Sequence, residues 1–216
     1  MIEYQGLEIS WLGHDSFKLK KVITLIIDPY KISSKEEADI VLITHEHFDH
    51  LSREDLKKVV GPQTIAISMQ KCLQELSILG LADVKIVKAG DILEVKGVTI
   101  EAVESYNINK FKEPGLVFHP REDGNLGFVI DFGGVRVYHS GDTDDIPEMA
   151  NIKADIALLP VSGTYVMTPD EATKAVMKLE PKLAIPMHYG TIVGSEMDAQ
   201  RFKDLAPCDV QILERE

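Results

Sequence analysis

The pattern that most restricts what this chain can fold into occurs twice. Ala38-Asp39-Ile40-Val41-Leu42 and Ala154-Asp155-Ile156-Ala157-Leu158 each open a short apolar run, and each follows a hairpin-like stretch ending in an aspartate, Asp28 or Asp142. Apolar runs of this length, bounded by polar and turn-forming residues, read as buried strands. Two such strand-rich layers, each with a helix-covered outer face, predict an α/β fold, a four-layer αββα sandwich of two similar halves in one domain over residues 1–216. Loops at the carboxyl ends of the strands then meet along one edge, where Asp28, Asp142 and His188 all fall. Chance recurrence of Ala-Asp-Ile before apolar residues stands beside duplication as an explanation of the echo taken alone.

The rest of the chain supplies the pieces such a fold needs. Residues 7–28 alternate and then turn apolar, giving successive strands with tight turns, and Pro29 cannot extend a central ladder, so Asp28 ends its strand. Ser52 with Asp55 three residues on predicts a capped helix directly after residues 44–50. Apolar spacing over 68–79, closed by Gly80, predicts a second helix, and 84–87, 92–95 and 98–103 read as short strands. Residues 128–139 form a hairpin pattern around Gly133-Gly134. Thr168, Pro169 and Glu171 mark a helix start, 183–187 a strand that delivers His188, 196–205 a last helix and 210–213 a last strand.

Chemistry concentrates in Thr44-His45-Glu46-His47-Phe48-Asp49-His50. The chain has only 7 histidines in 216 residues, so three within six positions is a poor match to random placement. At a strand exit His45 and His47 can point the same way, while Asp49 and His50 lie across the following turn, so two donor pairs can face two neighbouring ions. Imidazoles with a carboxylate and no thiolate suit zinc, and so oxygen-poor a set speaks against calcium or magnesium. A zincin H-E-x-x-H would need histidine where Asp49 stands, and Tyr138 occupies the first glycine of a G-x-S-x-G elbow before Ser140, so neither scheme applies.

Composition excludes other classes. At 44% hydrophobic and 27% charged residues the chain is ordinary globular protein, and no run approaches the roughly 18 apolar residues of a membrane span. Met1-Ile2-Glu3-Tyr4 lacks a signal peptide's pattern, so a cytoplasmic location is expected. Cys72 and Cys208 are far apart and outside any C-x-x-C pattern, which points to neither a disulfide framework nor a thiolate site. A net charge of -12 with scattered lysines counts against a nucleic-acid partner and for a small-molecule substrate; homo-oligomerisation is left open.

His45, His47, Asp49 and His50 match H-x-H-x-D-H, and with it the chain resembles the metallo-β-lactamase superfamily over residues 7–190. Asp28, Gly141-Asp142-Thr143 and Pro186-Met187-His188-Tyr189-Gly190 fit that superfamily in order and context. Trp11-Leu12-Gly13-His14 resembles the branch that holds uncharacterised metal-dependent hydrolases and the ascorbate-6-phosphate lactonase. The resemblance implies two zinc ions, with manganese or iron as substitutes, Asp142 bridging them and His188 as a further ligand. Asp28 is then expected to orient a ligating histidine. The chain departs from the family in one place: residues 100–107, Ile-Glu-Ala-Val-Glu-Ser-Tyr-Asn, lack the usual histidine. His119 is the expected replacement, with Asn107, Glu104 or water as the alternatives. His14 divides between a place at the metal edge and a structural role, and His139 reads as structural.

Such a centre would lower the pKa of a bridging water and set hydroxide against an ester-like bond, whether lactone, phosphodiester, thioester or amide. Asp49 could orient that water or take its proton, and Asp28 and His14 complete the expected catalytic set. Di-iron oxidoreductases of this fold carry an acidic residue where His47 stands, and a non-catalytic metal-binding protein would need the ligands lost or capped.

Overall fold

The computed structural model describes residues 1–33 and 35–216. The chain divides into two compact units, Met1–Lys88 with Leu213–Glu216, and Ala89–Ile212. Among the described residues no helix is long and apolar enough to cross a membrane.

In the first unit seven strands lie side by side in chain order: β1 (Ile2–Tyr4), β2 (Leu7–Gly13), β3 (Ser16–Lys20), β4 (Thr24–Ile27), β5 (Ile40–Ile43), β6 (Ile65–Ser68) and β7 (Asp83–Ile86). The first four pair antiparallel, and from β4 onward the pairing is parallel. Chain length between strands dictates the change. Tight turns can only reverse the chain, whereas the longer connections from β4 onward can bring it back in the same direction, those after β5 and β6 bearing α1 (Arg53–Val59) and α2 (Leu73–Leu76). Every residue of β4 and β5 is buried, and each Leu, Ile or Val side chain taken from water contributes about 1.5–3 kcal/mol.

The sheet's carboxyl edge is built with care. Asp28 donates its N–H to the Leu42 carbonyl at 3.0 Å, and Pro29 then ends the ladder. Ser52 caps α1 by accepting from the Asp55 N–H, and the Asp55 carboxylate accepts from the N–H groups of Lys31 at 2.8 Å and Ile32 at 3.1 Å. The segment that follows Asp28 is thus fastened to the helix that follows the histidine cluster.

The second unit repeats this design. Its seven strands run β8 (Ile92–Val95), β9 (Val98–Glu104), β12 (Leu126–Asp131), β13 (Arg136–His139), β14 (Ile156–Pro160), β15 (Leu183–Met187) and β16 (Asp209–Val210) across the sheet, antiparallel up to β13 and parallel beyond it. A separate pair, β10 (Phe111–Glu113) and β11 (Leu116–Val117), is inserted between β9 and β12. Helix α3 (Pro169–Leu179) bridges β14 and β15, and α4 (Glu196–Leu205) bridges β15 and β16. The topology common to both units gives the internal echo a structural basis, with Asp28 and Asp142 each just beyond the strand where pairing turns parallel. Gly133 and Gly134, with φ of 72° and 100°, make the β12–β13 turn, where the twist of a hairpin demands left-handed residues.

Two expectations need correction. The helix foreseen over 68–79 is a 3-10 turn, Gln70–Cys72, followed by the four residues of α2, and Ser68 ends a strand. Ile65–Ser68 pairs with both β5 and β7, so sheet formation takes Ser68 and the helical turns start only at Gln70. Cys72 is fully buried, and desolvation pushes its thiol up to about 12, which makes it inert packing. The last strand is shorter than foreseen, Asp209–Val210.

Glu171 ties α3 to the segment that leads into β10. Its carboxylate accepts from the Thr168 N–H at 2.8 Å, Asn109 Nδ2 at 2.8 Å and Lys110 Nζ at 2.7 Å. Burial opposes the charge, but Lys110, Thr168 and Asn109 outweigh it and hold the carboxyl down at about 2. The folded pKa lies below the unfolded one, so this contribution is complete above about 4.5 and fades as pH falls towards 2. Glu171→Gln should therefore cost about 1 kcal/mol in urea unfolding at pH 7 and almost nothing near pH 2.

Candidate functional site

Two donor sets stand at the carboxyl ends of the central strands, one in each unit. In the first unit β5 runs into Thr44 and the histidine cluster, and a turn closed by the N–H groups of His50 and Leu51 on the His47 carbonyl folds the cluster over itself. The rings of His45 and His50 lie 4.0 Å apart and those of His45 and His47 4.6 Å apart. His14, Asp49 and His50 each offer a donor atom within 4.8 Å of the others, and His14 Nε2 lies 3.1 Å from Asp49 Oδ2.

Asp28 decides which ring nitrogens face outward. It is fully buried and accepts from the Thr44 N–H at 2.8 Å and the Thr44 hydroxyl at 2.6 Å, while His50 Nδ1 lies 2.8 Å from its Oδ2. An ionised carboxylate only accepts, so His50 Nδ1 must donate, and the lone pair is on Nε2. The Thr44 hydroxyl has spent its proton on Asp28, so at 3.0 Å it accepts from His45 Nδ1, again leaving the lone pair on Nε2. One buried carboxylate and one threonine thus fix the tautomers of two histidines. His45 Nε2 then faces His47 Nδ1 at 3.0 Å.

The second unit applies the same logic with neutral partners. Asn107 donates its amide N–H to the Tyr165 carbonyl at 2.9 Å, so its Oδ1 accepts from the His119 N–H at 3.0 Å and from His119 Nδ1 at 2.9 Å. Ser162 donates to the Thr164 carbonyl and accepts from His188 Nδ1 at 3.0 Å. Both Nε2 atoms then turn to Asp142 Oδ2, at 3.5 Å from His119 and 3.4 Å from His188. His139 behaves oppositely, its Nδ1 accepting from the Gly141 N–H at 3.2 Å, which suits a structural histidine. Glu104 turns away to pair with Arg121. Tyr165 stacks edge-on against Phe118, Met167 is fully buried, and burial pushes the Tyr189 phenol up to about 12.

Lone pairs aimed at carboxylate oxygens repel unless a cation lies between them. The donor chemistry of both units therefore fits divalent metal: imidazole Nε2 atoms held by Nδ1 partners, with carboxylates in hydrogen-bonded or ion-paired surroundings. His14, Asp28 and His188 have φ of 52°, 43° and 59°, a region costly for side-chain-bearing residues.

A sequence model of the β-lactamase superfamily domain matches residues 8–188. A UPF0173 metal-dependent hydrolase of Methanopyrus kandleri is 33% identical, covering 91% of this chain and 90% of its own. The chain belongs to this family. Another member, from Thermoplasma acidophilum, is 34% identical over 94% of this chain and 92% of its own. The crystal structure of a protein from Parabacteroides distasonis, assigned as a metal-dependent hydrolase, superposes with a TM-score of 0.84 at 34% identity, covering 97% of this chain and 94% of that one. The α/β metallo-β-lactamase fold and the hydrolase class expected from the sequence are thereby established for this UPF0173 hydrolase. Sequence reasoning missed Thr44, Ser162 and Asp15. Thr44 follows β5 directly and Ser162 lies two residues beyond β14, and their hydroxyls are the only signal either offers.

Proposed function

We propose that the chain holds a centre of two zinc ions, or of manganese or iron in their place. The enzyme uses this centre to hydrolyse an ester-like bond, lactone, phosphodiester or thioester, in a small molecule. The ligands are His45, His47, Asp49, His50, His119, Asp142 and His188. The supporting observation is the shared tautomer: His45, His50, His119 and His188 each have Nδ1 engaged by a neighbour, which leaves Nε2 for metal.

Bound ions supply Lewis acidity to the oxygen of the scissile bond and acidify water. The chain's own residues do the remainder. Asp28 keeps the His50 ring directly, and the His45 ring through Thr44, in one orientation through turnover. Asp49 and His14, 3.1 Å apart, form a pair that can hold a proton between Oδ2 and Nε2 and return it to a leaving group.

The deciding experiment is turnover of a panel of lactones, phosphodiesters and thioesters by zinc- and manganese-loaded protein, with Asp142→Ala as control. At least one class should be hydrolysed, with activity lost to chelator, restored by metal and absent from the variant. No turnover of any class by protein carrying stoichiometric metal would sink the proposal.

A further inference from the structure

The tip of the β2–β3 hairpin holds an acidic group that is buried rather than turned to water. Gly13 pairs with Ser16 across the turn, with an irregularity between Trp11 and Gly13, so His14 and Asp15 form the tip. Tips of this kind favour Gly or Asn where φ is positive and send polar side chains to water. Here the left-handed residue is His14, and both tip side chains are completely buried. The tip is also clamped. Trp11 Nε1 donates to the His14 carbonyl at 2.8 Å, Arg215 Nε to the Leu12 carbonyl at 3.0 Å, and the Glu216 N–H to the Trp11 carbonyl at 2.9 Å.

Asp15 Oδ2 lies 3.4 Å from His14 Nε2 and 3.8 Å from His50 Nε2. Asp28 takes the His50 Nδ1 proton, so the nitrogen that Asp15 faces carries a lone pair. A separation of 3.8 Å is too long for a shared proton. Donor atoms bound to one ion at about 2.0–2.2 Å stand roughly 3–4 Å apart, and the separation of Asp15 Oδ2 from His50 Nε2 falls in that range. We infer that Asp15 is a further oxygen ligand of the ion on the His50 side. That ion position then draws on two carboxylates, Asp15 and Asp49, and is harder than the position served by His45 and His47. The inference rests on the two-metal reading above.

The test uses chelator-stripped full-length protein reloaded with Mn2+ or Co2+. Wild type should take up metal stoichiometrically, and a His45→Ala, His47→Ala double variant should lose part of it; no uptake by wild type would sink the two-metal reading itself. Given uptake, Asp15→Asn, which keeps the shape of the side chain, should weaken Mn2+ binding at least about tenfold and change the visible spectrum of the Co2+ protein. Asp15→Glu, which keeps the carboxylate, should bind Mn2+ more tightly than the Asn variant, and this comparison stands if the Asn protein folds poorly. Unchanged Mn2+ affinity and Co2+ spectrum in Asp15→Asn, or equal Mn2+ binding by the Glu and Asn variants, would overturn the assignment. Altered melting of the metal-free Asn protein without any change in metal binding would do the same, by making Asp15 a structural residue of the turn.

Discussion

Asp28→Ala should unfold in urea with a loss of about 3 kcal/mol or more, and what remains folded should bind metal at least 10–100-fold more weakly. The carboxylate collects the Thr44 N–H, the Thr44 hydroxyl and His50 Nδ1, all in a site closed to water. Removing it strands three buried groups, each at roughly 1–3 kcal/mol. The metal effect has a separate origin. With Asp28 gone the Thr44 hydroxyl is free to donate to a histidine, so His45 and His50 can adopt the tautomer that places a proton on Nε2. Asp28→Asn separates the two effects, because the amide fills the same space but presents N–H to groups that are themselves donors. Its stability loss should be the smaller and its metal defect of similar size, read from chelator competition beside urea unfolding of the metal-free protein. Wild-type metal affinity in Asp28→Asn would show that tautomer control is not what Asp28 provides.

The distinction between Asp28 and the cluster it supports also marks what could be read from the sequence. The histidine cluster, Asp28 at its strand end and the second Asp-ended hairpin are local patterns, and the spacing of strands and caps around them carried through to β4, β5, α1 and α3. The failure at 68–79 is physical. Ile65–Ser68 is a four-residue apolar stretch whose strand character comes from lying between β5 and β7, and no local pattern records those partners. Asp15 was hidden for the converse reason. A charged residue in a tight turn reads as a solvated tip, and only the tertiary structure shows that it is buried. Thr44, Asn107 and Ser162 each fix a tautomer through a hydroxyl or amide whose own proton is committed elsewhere, which depends on partners up to 58 residues away.

The place where this chain departs from the superfamily's usual pattern is open to test in the same terms. His119→Ala should lose one ion and at least about a thousandfold in turnover, whereas Asn107→Leu should retain both ions with affinity lowered 10–100-fold. His119 leaves β11 in a short loop, and its ring is gripped from behind: Asn107 accepts from both its backbone N–H and its Nδ1, and Tyr165 keeps the amide from rotating. Asn107 thus has its oxygen occupied by His119 and its nitrogen by Tyr165, while His119 Nε2 looks towards Asp142. We propose that His119, from a later loop, supplies the histidine in this chain, with Asn107 in the strand-end segment as its support. Asn107→Asp sharpens the test, since a carboxylate behind the ring raises the basicity of Nε2 and should bind metal at least as tightly as wild type. If instead Asn107→Leu strips the ion and His119→Ala keeps it, the asparagine is the ligand and the two residues exchange roles. Metal analysis of the purified variants distinguishes these outcomes without knowledge of the substrate.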